Sequence, residues 1–383
     1  MNTKKLCIVL LIFVILFGCL PTQSVQAAEL NLAAESAILV DAQSGQILYE
    51  KEIHKKMYPA SMTKLMTLVL AMEALEAGKV KMDDIVTASE NAASYRGSRI
   101  FLSAGEQFTF YEYLLGVALA SGNDASVAVA EHIAGSHETF VEMMNQKAAQ
   151  LGMKNTNFVN CNGLHDDNHY TTAYDFALLA LEALRFPKLL EISTLKHYRI
   201  REDTKPFQFD NKNKLLWWYE GADGFKTGWT EDAKYCFTGT VERNGLRFVS
   251  VVMGVKEQKG HFRDTMALYN WGYSQYTFKS FYDQNDLLAQ IPVGKGVKDL
   301  VSCRPLRKVG VTVRKGEEKD LTTQMDLLPI VDAPVQEGQL LGNISILHNG
   351  NVVFKTDLVA VEEVAKGSWW AEFRKVLGKT IAL

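Results

Sequence analysis

An α/β (α+β) fold with a second, smaller all-β domain is the architecture expected of this 383-residue chain. Short apolar strands stand at both ends of a long stretch of helical periodicity. That order brings the first and last strands of one sheet together and packs helices on its faces. Beyond Phe278 the helical periodicity gives way to short strands and tight turns. With 47% hydrophobic residues, the chain can build one large core and one small one.

The chain opens with Lys4 and Lys5, an apolar run from Cys7 to Leu20, and the small residues of Ser24-Val25-Gln26-Ala27-Ala28. These are the parts of a secretory signal peptide over 1–28, and the run is too short for an ordinary membrane span. Leu16-Phe17-Gly18-Cys19 also resembles a lipoprotein cleavage box, with bulky Phe17 where a small residue is usual. Either reading exports the protein. Of the 5 cysteines, Cys7 and Cys19 fall in this leader, and the widely spaced Cys161, Cys236 and Cys303 do not form a disulfide framework. No CxxC pair or His-rich cluster suggests zinc, so neither metal nor cofactor is expected. A formal net charge of −3 gives no support for a nucleic-acid partner.

Ser36-Ala37-Ile38-Leu39-Val40 and Gln46-Ile47-Leu48-Tyr49, separated by Ser44-Gly45, predict an opening hairpin. From Ser61 to about Leu75 apolar residues lie all round a helix, which predicts burial. Further helices are expected at 110–120, 124–134, 138–151 and 172–185. Strands return at Gly224–Thr230, Tyr235–Val241 and Phe248–Val255, the last two joined by the strong turn signal Asn244-Gly245. These elements make up a domain over 29–280. A small β-sandwich-like domain is expected over 285–363, with strands at 288–291, 309–313, 344–347 and 352–354 and a turn at Asn349-Gly350. In 367–383, Trp369, Trp370, Phe373, Val376, Leu377 and Ile381 recur at helical spacing among Arg374, Lys375 and Lys379. Such a helix suits a membrane surface, or else caps the β domain.

Chemistry rests on three short strings weighed against chance. A chain of this length holds about one or two S-x-x-K strings by accident. Both Ser61-Met62-Thr63-Lys64 and Ser193-Thr194-Leu195-Lys196 are present. Ser61 follows Pro59-Ala60 and opens the most apolar helix, where the dipole favours a developing negative charge. Lys64 is one turn on, and burial would lower its pKa towards that of a base. The plainer alternative is an N-cap serine with a snorkelling lysine. Ser193 and Lys196 lack an apolar helix and are taken as the chance match. Of the S-x-N strings, Ser89-Glu90-Asn91 and Ser121-Gly122-Asn123, the second falls in a tight loop between two buried helices, although all three residues also favour ordinary turns. Lys226-Thr227-Gly228 lies on a strand whose edge can pair with an extended peptide, and Gly228 would let that backbone approach. Its alternative is a solvent-facing edge lysine.

Together the three strings resemble the penicillin-binding proteins and serine β-lactamases. Pro59–Thr67, Ala120–Ser126, Asn162-Gly163-Leu164-His165, Thr172-Ala173-Tyr174-Asp175 and Asp223–Thr230 look like the low-molecular-mass D-alanyl-D-alanine carboxypeptidases, especially the Gram-positive and sporulation types. Phe225 and Trp229 stand where that family varies. The resemblance implies a β-lactamase/transpeptidase-like domain with an antiparallel sheet between helix clusters. It implies Ser61 as nucleophile, Lys64 as its proton acceptor, and Ser121 with Lys226 relaying protons. It gives Asn123 to the substrate amide, Thr227 to the terminal carboxylate, and the N–H groups of Ser61 and Trp229 to the oxyanion. A cation beside the carboxylate, His261 or Arg263, is expected as well. The implied partners are a peptidoglycan stem peptide, β-lactam antibiotics and, through the tail, the outer face of the cytoplasmic membrane. Alternatives are a β-lactamase, a transpeptidase or endopeptidase of the same fold, and an inactive wall-binding module. The intact Ser61, Lys64, Ser121 and Lys226 argue against the last.

Overall fold

The computed structural model describes residues 30–369. The expected signal peptide and the tail beyond Trp369 lie outside them. Residues from Ala33 onward form one unit, preceded by Leu30–Leu32 without regular structure.

The main sheet has five antiparallel strands: β1 Ser36–Asp41, β2 Ile47–Lys51, β3 Ala222–Thr230, β4 Lys234–Arg243 and β5 Leu246–Val255, in the order β2-β1-β5-β4-β3. The two ends of the domain do meet, with Ala37 opposite Val252. β1 is buried at every position because helices cover both faces of the sheet. Asn244 and Gly245, at φ 52° and 81°, make the two-residue left-handed turn their sequence predicts.

On one face Ile38, Val40, Val249, Val251 and Met253 join a core built from helices α1 Lys64–Glu76, α2 Phe110–Ala118, α3 Asn123–Ala134, α4 His137–Gln150, α5 Ala173–Ala183 and α6 Pro187–Thr194. On the other lies α7, Gly260–Gln275. A Cβ at Gly272 of α7 would sit 2.8 Å from Phe248 and 2.9 Å from Leu39, so the missing side chain lets this helix reach the sheet. The sequence reading assigned no helix here. Glycines at both ends of α7 weaken the local signal, and packing on the sheet overrides it.

The strand β6, Tyr276–Tyr282, follows α7 directly. It pairs with β9, Val309–Arg314, across a two-stranded ribbon. The remaining strands are β7 Ala289–Gly294, β8 Leu300–Pro305, β10 Leu321–Leu327, β11 Val331–Asp332, β12 Leu340–His348 and β13 Asn351–Ala360. They form a six-stranded sheet in the order β10-β12-β13-β8-β7-β11. Ile291, Val301, Leu341, Ile344 and Leu358 give it a core of its own. Beyond the expected strands, β6, β8, β10 and β11 are new. The polar Thr322, Thr323, Gln324 and Asp326 mask β10 in the sequence.

Candidate active site

Ser61 lies in a 3₁₀ turn, Ala60–Thr63, that leads straight into α1. Its hydroxyl caps nothing, and it accepts a hydrogen bond from Lys64 Nζ at 3.0 Å. Lys64 is wholly buried and does not snorkel. Its ammonium also donates to Asn123 Oδ1 at 2.7 Å and to the Asn162 carbonyl at 2.5 Å. All three neighbours are neutral oxygens, and burial lowers the Lys64 pKa to about 7. The amine therefore exists in large part as a free base at neutral pH.

The turn that presents Ser61 is held from two sides. A Cβ at Gly163, where φ is +79°, would stand 1.9 Å from the Ala60 carbonyl oxygen. One at Gly228 would stand 2.7 Å from the Pro59 carbonyl. The bare face of Gly228 is thus used by the Ser61 turn as well as by the cleft it lines. Below the turn, the Val159 N–H donates to His169 Nδ1 at 3.1 Å, which leaves Nε2–H to donate to Thr63 Oγ1 at 2.8 Å.

The second triplet arrives from the loop between α2 and α3. Ser121 is buried with a left-handed φ of 61°, which costs a non-glycine residue about 1 kcal/mol. Its hydroxyl accepts from Lys226 Nζ at 2.9 Å. Lys226, on the edge strand β3, is buried too, and desolvation followed by the charge of Lys64 holds its pKa well below the usual value. Asn123 is engaged at both ends, since its Nδ2 donates to the Arg96 carbonyl at 2.6 Å. Thr227 and Gly228 line a cleft of about 340 Å³ with Ser61 and Ser121, and Trp229, 57% exposed, forms part of its rim. All eight expected site residues therefore gather along one stretch of surface and the core just beneath it.

The two other serine strings fall elsewhere. Ser193 is buried in α6, and the exposed Lys196 lies over the Trp217 ring. Ser89 caps a short helix by accepting from the Ala92 N–H. Of the two cation candidates, His261 lines the cleft, but burial drops its pKa to about 4 and it is uncharged at neutral pH. Arg263 is paired with Glu257 and is not among the lining residues. The cations that do line it are Lys212, Lys214 and Lys259. Asp124 was also missed. Buried at the start of α3, it accepts from the N–H groups of Ile100 and Leu102 at 3.1 Å each and so holds the loop that carries Ser98 to the cleft. The acid following Ser121-Gly122-Asn123 was its signal.

A serine beside a desolvated lysine, backed by a serine–lysine pair on an edge strand, on this helix-flanked antiparallel sheet defines the penicillin-binding class of serine enzymes. The chain belongs to the D-alanyl-D-alanine carboxypeptidase family, whose model matches residues 22–257. A second model, the C-terminal domain of penicillin-binding protein 5, matches 276–366. The D-alanyl-D-alanine carboxypeptidase DacF of Bacillus subtilis is 38% identical over 98% of both chains. DacA of Escherichia coli is 33% identical, over 89% of this chain and 86% of its own. Among solved structures, penicillin-binding protein 5 of Haemophilus influenzae has a TM-score of 0.69 and 32% identity, covering 88% of this chain and 98% of its own. PBP3 of Streptococcus pneumoniae has a TM-score of 0.72 and 28% identity, covering 87% of this chain and 99% of its own.

Proposed function

We propose that this protein is a serine-type D-alanyl-D-alanine carboxypeptidase that trims the terminal D-alanine from peptidoglycan stem peptides. One observation carries the mechanism: a buried lysine amine with a pKa of about 7 stands 3.0 Å from the Ser61 hydroxyl. Lys64 takes the Ser61 proton as Oγ attacks the penultimate carbonyl. The backbone N–H groups of Ser61 and Trp229 receive the oxyanion. The C–N bond then breaks and D-alanine leaves with the proton. Ser121 and Lys226, linked at 2.9 Å, are placed to carry that proton. Water then splits the ester. Asn123 keeps Lys64 in line and offers its remaining lone pair to the substrate amide. Thr227 receives the terminal carboxylate, helped by Lys212, whose charge reaches Lys226. A β-lactam would acylate Ser61 in the same way.

Work on such a substrate requires export, which the leader over 1–28 supports. The Trp-rich, cationic composition of 367–383 supports peripheral attachment to the outer face of the cytoplasmic membrane, with the catalytic domain over 29–280 and the β domain over 285–363 between the two segments. Release of D-alanine from a synthetic pentapeptide, with labelling by a fluorescent penicillin, tests the activity. Labelling without D-alanine release would leave a transpeptidase instead. Co-sedimentation with anionic liposomes, with and without 367–383, tests attachment.

A further inference from the structure

An antiparallel sheet that covers a core with one face carries polar side chains on the other. In the β domain, β10 keeps that rule, with Thr322, Gln324 and Asp326 exposed. The opposite edge of the same sheet breaks it. Ile291, Val293, Val301 and Val331 lie in the domain core, so their neighbours Pro292, Leu300 and Ile330 project outward. Pro292 pairs with Leu300, and the parallel pairing of Val293 with Val331 sets Ile330 level with Pro292. The three make one apolar row across β8, β7 and the start of β11. Leu328 extends it, and Val297 lies close by in the turn that joins β7 to β8. The four aliphatic side chains are 44% to 57% exposed.

The C-terminal segment starts at the same place. The Val297 N–H donates to the Ala365 carbonyl at 2.9 Å, and the Gly367 N–H donates to the Lys295 carbonyl at 2.8 Å. Residues 367–383 therefore leave the β domain beside the row. Two ion pairs rim it, Lys295 with Asp332 at 2.7 Å and Lys298 with Glu362. They neutralise two acids that an anionic headgroup layer would otherwise repel.

We infer that this face of the β domain is a second membrane contact, an apolar patch that enters the headgroup region beside the tail. The inference rests on the attachment proposed above for 367–383. A second copy of the chain would also cover apolar side chains, but it would not account for the shared root of patch and tail. One amphipathic segment ties a protein to a surface, and a second contact fixes how it stands there. The catalytic domain inherits that orientation. Thr312 Oγ1 donates to Asp41 Oδ1 at 2.7 Å and Gln43 Nε2 to the Gly310 carbonyl at 3.1 Å, which ties β9 to the opening hairpin.

The test is co-sedimentation of the full mature chain with phosphatidylcholine vesicles, with and without phosphatidylglycerol. It is run in about 50 and about 500 mM NaCl, the higher salt screening the cations of the tail. Val297→Thr with Ile330→Thr keeps both β-branched shapes and removes apolar surface. At the higher salt it should weaken partitioning at least about tenfold on both vesicles. Ile330→Trp should strengthen partitioning, since tryptophan favours the interface. Unchanged penicillin labelling checks that both variants are folded. Wild-type affinity in the double variant, with binding lost on removal of 367–383, would overturn the inference and leave the tail anchor standing. A double variant altered in oligomeric state but not in partitioning would make the face a contact between copies, and would overturn it too. No binding by the wild type at either salt would overturn both readings.

Discussion

At the scale of single residues, the distinction between Ser61 and Ser193 is the sharpest one available. Both begin an S-x-x-K string, but only Ser61 has its lysine amine at 3.0 Å. Ser61→Ala should abolish covalent labelling by penicillin while Ser193→Ala leaves it alone, and identical behaviour of the two would sink the assignment. Lys64→Arg keeps a cation that does not deprotonate. Acylation should fall at least about a hundredfold, and a near-normal rate would reduce Lys64 to a mere charge. The burial of Lys64 also sets the pH profile. Only the neutral amine accepts a proton, so acylation should rise through about pH 7 and level off above it. A flat profile between pH 5.5 and 8 would contradict this. Ser61, Lys64, Ser121 and Lys226 were legible because each sits in a short string of fixed spacing. Lys212, Lys214 and Lys259 were not, because a lysine in an exposed loop looks the same whether it faces solvent or a cleft. Two come from the loop before β3 and one from the start of α7, and only the tertiary fold brings them together.

At the scale of elements, the catalytic turn depends on backbone packing that side-chain patterns do not reveal. The buried helix after Ser61 was readable from its unbroken apolar run, yet its first turn is 3₁₀ and leans on Gly163 and Gly228. Gly163→Ala places a methyl 1.9 Å from the Ala60 carbonyl at a φ of +79°, so contact and backbone strain act together. The turn must shift, and with it the Ser61 hydroxyl. Penicillin acylation should fall at least about tenfold, since displacements near 1 Å in a reacting group are costly. Circular dichroism should still show a folded protein, because the added methyl meets the Ala60 backbone and the Thr63 hydroxyl rather than core side chains. Wild-type acylation in the variant would mean the turn is looser than this packing implies. The same limit explains why α7 escaped the sequence reading, for Gly272 has its use only against Phe248 and Leu39.

For the whole molecule, two buried histidines tie stability to acidity. His169, wedged under the Ser61 turn, and His261, stacked on Tyr235, are each lowered by burial to about 4 from an ordinary 6.5. Between those values the unfolded chain binds protons that the folded chain refuses, so stability rises with pH across the window. It is fully present above about pH 6.5 and drains away as pH falls towards 4. Both residues border the catalytic machinery, and neither is part of a motif, so the sequence carried no sign of this coupling. The melting temperature should therefore fall steadily from pH 6.5 to 4. His261→Phe keeps an aromatic ring against Tyr235 and Phe237 and removes one titrating group, so its decline should be shallower. Parallel curves for the variant and the wild type would show that His261 is protonated within the folded protein, and would place the acid sensitivity elsewhere.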